Sequence, residues 1–227
     1  MPHESTITFT LDTICPWTYL GFLRLQKALS QYRSTHPEDP KVVFTLKFAP
    51  YQLHPDFSQE GEDRHEWYKN DRYNGDEEKI HMYERYMTAL GKAEGVDFDF
   101  NGTIANTLHA HRIIYHVQGN RGPEAAQRVV QSLYEQYFSH GKHPSAPETL
   151  KTACQVAGLS EEEAERLVGD ESEGLVDVKG AIREQTGNGV DSVPYVVFEG
   201  RKRDFTLVGA KEVREYVGVM EQVGKEV

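Results

Sequence analysis

The strongest constraint on this chain is a three-part stretch at residues 6–21: an alternating apolar run, then Asp12-Thr13-Ile14, then Cys15-Pro16-Trp17-Thr18. Ile7, Phe9 and Leu11 alternate with Thr6, Thr8 and Thr10, the period of a β-strand with one face turned inward. Pro16 fits the first position of a helix, where a missing N–H has no intrahelical partner to lose and φ is already close to the helical value. The strand therefore delivers Cys15 to the N-cap of a helix. A sulfur at that position faces unpaired amides and the positive end of the helix dipole, both of which favour thiolate over thiol. The expectation is a lowered pKa and a nucleophilic sulfur. The plainer alternative is a small buried cysteine that precedes a proline.

Downstream, Thr18, Phe22, Leu25, Leu29 and Tyr32 fall at steps of three and four, which predicts a helix to about residue 33; two prolines within residues 36–40 predict a loop. Residues 42–49 read as a second strand, with Val42, Phe44, Leu46 and Phe48 on one face. Strand, helix and strand suggest a parallel βαβ unit. From residue 57 to about 170 the periodicity is helical. Asp76 caps a helix bearing Ile80, Tyr83, Met87 and Leu90 that ends near Gly95, and a second helix carries Ile104, Leu108, His111 and Tyr115 up to Gly119. Pro123 opens a third helix and Gly141 closes it. Ser145 with Glu148, and Ser160 with Glu163, have the spacing of capping boxes. A helix over 175–186, a strand over 195–199, a hairpin into 205–208 and a last helix from about 210, with Val213, Val217 and Met220 inward, complete the chain. The order βα, β, helical excursion, α, ββ, α is an α/β arrangement, a thioredoxin fold with a large all-helical insertion. The expected division is a discontinuous thioredoxin-like domain over 1–55 and 172–227, with the insertion at 56–171.

Two segments carry a more specific resemblance. Cys15-Pro16-Trp17-Thr18-Tyr19-Leu20-Gly21 resembles the CPWCYxG segment of DsbA-like, FrnE-type thioredoxin-fold proteins, relatives of kappa-class glutathione transferases and 2-hydroxychromene-2-carboxylate isomerases. Gly189-Val190-Asp191-Ser192-Val193-Pro194 resembles their G-V-x-G-V-P segment, in which the proline is cis and adjoins the active-site cysteine. The resemblance implies that Val193 and Pro194, with Pro16 and Trp17, bind glutathione or substrate, the Val193 backbone pairing with it as an added strand would. Pro50-Tyr51-Gln52-Leu53-His54-Pro55 and Asn106-Thr107-Leu108-His109-Ala110-His111-Arg112 resemble two further family segments, the latter without an assigned role. One departure governs the chemistry. Thr18 stands where the family has its second cysteine, so Cys15 cannot form a disulfide within its own motif. The expected catalytic pair is Cys15 with Thr18, whose hydroxyl lies one turn on and is placed to donate to the thiolate.

With one sulfur, the accessible covalent redox state is a mixed disulfide, which points to glutathione as co-substrate. Three functions follow: a DsbA/FrnE-like thiol oxidoreductase working through Cys15, a glutathione-dependent transferase or isomerase acting on a small apolar electrophile, or a non-catalytic thioredoxin-fold binding module. Partners are expected to be small-molecule or peptide thiols or electrophiles, and a homodimer is compatible with the chain. A net charge of −11 argues against nucleic acid, whose binding needs a basic surface. With no long apolar run, two cysteines in all and a strand starting within about six residues, the expected setting is cytoplasmic and reducing, without a membrane span. Cys154, among Thr152, Ala153 and Val156, reads as core. The histidines offer no metal-binding spacing, since His109 and His111 point to different sides of a helix, so no metal is expected. Trp67, Tyr68, Tyr73, Tyr83 and Tyr86 concentrate aromatic residues in the insertion; most read as core, and some are candidates to line an apolar pocket over Cys15.

Overall fold

A strand paired along both edges and buried along one face of its pleat sits at the centre of its sheet, and β1 (His3–Leu11) is that strand, with Ile7, Phe9 and Leu11 almost wholly buried on that face. The computed structural model describes residues 2–37 and 41–227. β1 runs parallel to β2 (Val42–Pro50), pairing Ile7 with Leu46 and Phe9 with Phe48, and antiparallel to β5 (Tyr195–Phe198), pairing Phe9 with Val196. β6 (Phe205–Val208) closes the order β2-β1-β5-β6. The crossover from β1 to β2 is α1 (Pro16–Thr35), and α9 (Val213–Lys225) packs against it. The loop expected at residues 36–40 lies largely outside the described residues.

Between β2 and β5 the chain forms α2 (Arg64–Trp67), a π-helical turn Tyr68–Arg72, and α3 (Glu77–Glu94). α4 (Leu108–Arg121), α5 (Pro123–His140), α6 (Pro147–Val156), α7 (Glu161–Gly169) and α8 (Leu175–Gly187) follow. The predicted punctuation acts as physics requires. Asp76 accepts from the Lys79 amide, Gly95 and Gly141 close α3 and α5 in the left-handed conformation, and Ser160 and Glu163 form a reciprocal capping box.

Several expectations fail. The insertion is not all helical, because β3 (Glu62–Asp63) and β4 (Thr103–Ile104) form a short antiparallel ladder, which takes Ile104 out of the helix predicted for it. Two-residue strands carry no periodicity to read. α4 continues past Gly119 to Arg121, since a lone glycine weakens a helix without ending it. The Ser145–Glu148 capping box does not form: α6 starts at Pro147 with Ala146 as N-cap, and the Ser145 hydroxyl donates to the Asn106 carbonyl instead. In α9 the fully inward residues are Tyr216, Met220 and Val223, while Val213 and Val217 are only partly buried.

Packing joins these parts into one core. Phe9, Phe22 and Phe48 meet at centroid distances of 5.9–6.4 Å, and Tyr134 of α5 adds to Phe22 at 5.8 Å. Burying each such ring contributes about 1.5–3 kcal/mol. The edge of β2 is closed by Gln118 of α4, whose carboxamide accepts from the Phe48 amide and donates to its carbonyl at 2.8 and 3.0 Å, as a neighbouring strand would. Among the described residues no helix is long and apolar enough to cross a membrane.

Candidate active site

Cys15 is the N-cap of α1, in extended conformation with Pro16 next in line. Its carbonyl accepts from the Thr18 and Tyr19 amides, and its own amide donates to the Asp12 carbonyl, so a tight turn fixes the sulfur over the first helical turn. Opposite it, the Val193–Pro194 peptide bond is cis. The Cys15 thiol donates to the Val193 carbonyl at 3.8 Å. Val190, Val193, Tyr51 and Tyr195 pack around the sulfur. Two segments nearly 180 residues apart in sequence thus meet at one atom.

This approach depends on Gly21. A methyl group there would come within 3.0 Å of Pro194 Cγ and 3.4 Å of the Tyr216 hydroxyl.

The electrostatics differ from the sequence expectation. Cys15 is only 5% exposed, and burial pushes its pKa up to about 11. The Thr18 and Trp17 amides pull the pKa down, as a helix N-terminus should, while the Asp12 carboxylate pushes it up. Desolvation wins. The helix-end effect is present, but this closed arrangement holds a thiol.

Thr18 is fully buried, and its hydroxyl lies 2.7 Å from both the Asp12 and Cys15 carbonyls. A hydroxyl has one proton, so in this arrangement it serves the backbone rather than the sulfur. The expected Thr18-to-sulfur donation is therefore not the resting geometry. Pro16 is buried, and Trp17 is 38% exposed with its ring 6.1 Å from that of Tyr86, itself largely exposed.

Asp12 has a role that the sequence did not suggest. Wholly buried, its carboxylate lies 3.3 Å from His111 Nε2 and accepts from the Leu53 amide at 2.7 Å. This pair explains part of the Asn106–Arg112 segment. Asn106 accepts from Gln52 and donates to the Pro55 and Phe57 carbonyls. Arg112, fully buried, donates to the carbonyls of Leu167, Asp170 and Glu173, tying the end of α7 and the next turn to α4. The segment is thus a brace between the insertion and the loops flanking Cys15.

Of the insertion's aromatic residues, Tyr68 and Tyr83 line an apolar cavity, together with Ile80, Phe98 and Tyr137. The cavity reaches Pro16 rather than Cys15, and at about 20 Å³ it has room for roughly one water molecule. Trp67 packs edge-on against Tyr68, and Tyr73 stacks on it. Cys154 is wholly buried, and both it and Cys15 are free thiols. No group of three His, Cys, Asp or Glu side chains that could hold a metal ion occurs among the described residues.

The strand that feeds Cys15 into α1 and the cis Val193–Pro194 bond opposite it are the arrangement that the resemblance of the two segments implies. The model of the DSBA-like thioredoxin domain matches residues 6–220. The chain belongs to the DSBA-like thioredoxin domain family. A search of curated proteins gives no match. Among solved structures, the DSBA-like chain is similar to the probable DsbA oxidoreductase from Streptomyces coelicolor, with a TM-score of 0.79 and 21% identity over 98% of this chain and 91% of that one. It also resembles a 2-hydroxychromene-2-carboxylate isomerase (TM-score 0.66, 13% identity, 96% and 95% covered). A third similar structure is the cytosolic disulfide reductase DsbM from Pseudomonas aeruginosa with GSH (TM-score 0.57, 13% identity, 97% and 96% covered). At these identities the likeness extends to the DSBA-like fold, and the chemistry has to be argued from the residues.

Proposed function

We propose that this DSBA-like protein is a thiol oxidoreductase that works through Cys15 alone, exchanging mixed disulfides with glutathione or a thiol substrate in a reducing, cytoplasmic setting. The observation that carries the reading is the placement of Cys15 Sγ against the Val193 carbonyl with Thr18, not a second thiol, one turn on. In the forward step the Cys15 thiol gives its proton to solvent. The thiolate attacks one sulfur of glutathione disulfide, the Cys15–glutathione disulfide forms, and glutathione thiolate leaves. A second thiolate then attacks the mixed disulfide at the glutathione sulfur, restoring Cys15 and carrying away the new disulfide. The Val193 backbone docks the incoming peptide, and Trp17, exposed at the rim, covers it.

A raised thiol pKa fits this cycle if docking opens the Val193 contact and admits water to the sulfur. The same raised pKa favours a second reading, a glutathione-dependent transferase or isomerase in which the Cys15 thiol stays protonated and donates to the glutathione sulfur. That reading draws on the Cys15-to-Val193 hydrogen bond, in which the sulfur already acts as donor.

Cys15→Ser separates the two. Disulfide exchange with glutathione disulfide vanishes under the first reading, whereas a serine hydroxyl sustains much of a transferase or isomerase rate under the second. A protein that serves only as a binding module would exchange no disulfide in either form, and glutathione would not raise its melting temperature.

A further inference from the structure

Tyr134 is the one large polar side chain of α5 that is buried completely while its hydroxyl has no protein partner among the described residues. Its ring stacks on Tyr19 at 4.8 Å and tilts onto Phe22 at 5.8 Å, the residues one place and one turn after Thr18 in α1. The ring is thereby fixed, and the hydroxyl is held at the foot of the Cys15 helix. A buried, unpaired hydroxyl is destabilising, a cost that a structure keeps where the group is used in another state. The titratable groups that face it are Cys15, Asp12 and Tyr19, and the Thr18 hydroxyl beside it offsets part of the rise that burial imposes on the tyrosine. Cys15 in turn is faced by Asp12, with Tyr68 and Tyr83 farther out.

We propose that Tyr134 is a positioning residue for the Cys15 thiolate: its hydroxyl donates to Thr18 Oγ1 and so holds the Thr18 hydroxyl in the orientation that donates to the sulfur. In the thiol state the Thr18 proton goes to a backbone carbonyl and Tyr134 stands without a bond. When Cys15 loses its proton, the sulfur becomes the stronger acceptor. The Thr18 side chain swings from the backbone carbonyls to donate to the sulfur, which carries Oγ1 within reach of the fixed Tyr134 hydroxyl, and Tyr134 completes the chain Tyr134 O–H to Thr18 O–H to sulfur. Hydrogen bonds in such a chain polarise one another, so the far hydroxyl stabilises a charge it does not touch. This rests on the reading of Cys15 as a working thiolate and adds the residue that prepares it.

The test is the pH profile of Cys15 alkylation by iodoacetamide, followed by peptide mass mapping, in the wild type, Tyr134→Phe, Thr18→Val and the double variant. Tyr134→Phe removes an unbonded oxygen, so the thiol form keeps or slightly raises its melting temperature, while the alkylation midpoint moves up by about one unit, a tenfold loss of thiolate at a fixed pH. In the Thr18→Val background the same change has no further effect, because the chain is already cut. Thr18→Ser, which keeps the hydroxyl, preserves the Tyr134 effect. A midpoint unmoved in Tyr134→Phe, a shift that persists in full beside Thr18→Val, or loss of the fold in Tyr134→Phe would overturn the inference while leaving a reactive Cys15 in place. A wild-type Cys15 that resists alkylation throughout would overturn both it and the reading on which it rests.

Discussion

At the scale of single residues, the site sets two opposing influences on one sulfur. The helix end and its amides favour the thiolate, and burial together with Asp12 favours the thiol. Asp12→Asn keeps an acceptor for the Leu53 amide and removes the charge. The expected result is a fall of roughly half a unit in the pH midpoint of Cys15 alkylation, a modest share of the shift that a close charge can impose; a rise, or no change, would mean that Asp12 acts only as a brace for His111. Thr18 is the second informative position. Thr18→Cys places a thiol one turn from Cys15 in the same volume, and the variant is expected to take up an internal disulfide on mild oxidation, read as the loss of two hydrogens in the intact mass. A variant that remains a dithiol would show that the position cannot bring two sulfurs together.

At the scale of elements, what the sequence made legible follows from how local each signal is. β1, the Pro16 start of α1, the Asp76 and Ser160 caps and the glycine ends of α3 and α5 are each written within a few neighbouring residues, and all are found. The approach of Val193 to Cys15 was visible only through the resemblance of the two segments, because nothing local links residues so far apart. The Asp12–His111 pair went unseen for the same reason: it joins a strand end to an insertion helix 99 positions away. Asp12 stood three residues before Cys15, and a lone carboxylate at the end of a buried strand was the signal to follow. The lowered pKa failed because a dipole argument reads the helix and not the wall of Val190, Val193, Tyr51 and Tyr195 built over its tip. Gly21 tests how closely those elements must meet. Gly21→Val brings a branched side chain against Pro194, and the expected outcome is a tenfold or greater slowing of glutathione adduct formation, with alkylation by small iodoacetamide largely kept, an order of magnitude in line with losing a docking contact of about 1.4 kcal/mol. Equal slowing of both reactions would place the damage at the sulfur rather than at the docking strand.

At the scale of the whole molecule, two buried thiols give the fold an alkaline limit. Burial raises Cys15 and Cys154 from the unperturbed 9.0 to about 11. Between those values the unfolded chain has lost both protons and the folded chain keeps them. Unfolding therefore releases protons, and the stability that is fully present below pH 9 declines until the folded thiols ionise near pH 11. The slope is about 1.4 kcal/mol per pH unit for each thiol, and burial of Tyr134 and Tyr137 adds to it in the same direction above pH 10. Denaturant midpoints measured across pH 8–11 should fall accordingly, and less steeply in Cys154→Ala; a flat profile would show that the thiols are better hydrated than their burial indicates.

In the proposed cycle one sulfur suffices, because its partner comes from outside the chain. The direct measurement is the intact mass of the protein after exposure to glutathione disulfide, with the site mapped by peptide digestion. A single glutathione adduct on Cys15, removed by excess reduced glutathione and absent in Cys15→Ser, is the predicted result. A chain that takes up no glutathione, or that instead loses two hydrogens by joining Cys15 to Cys154, would contradict it.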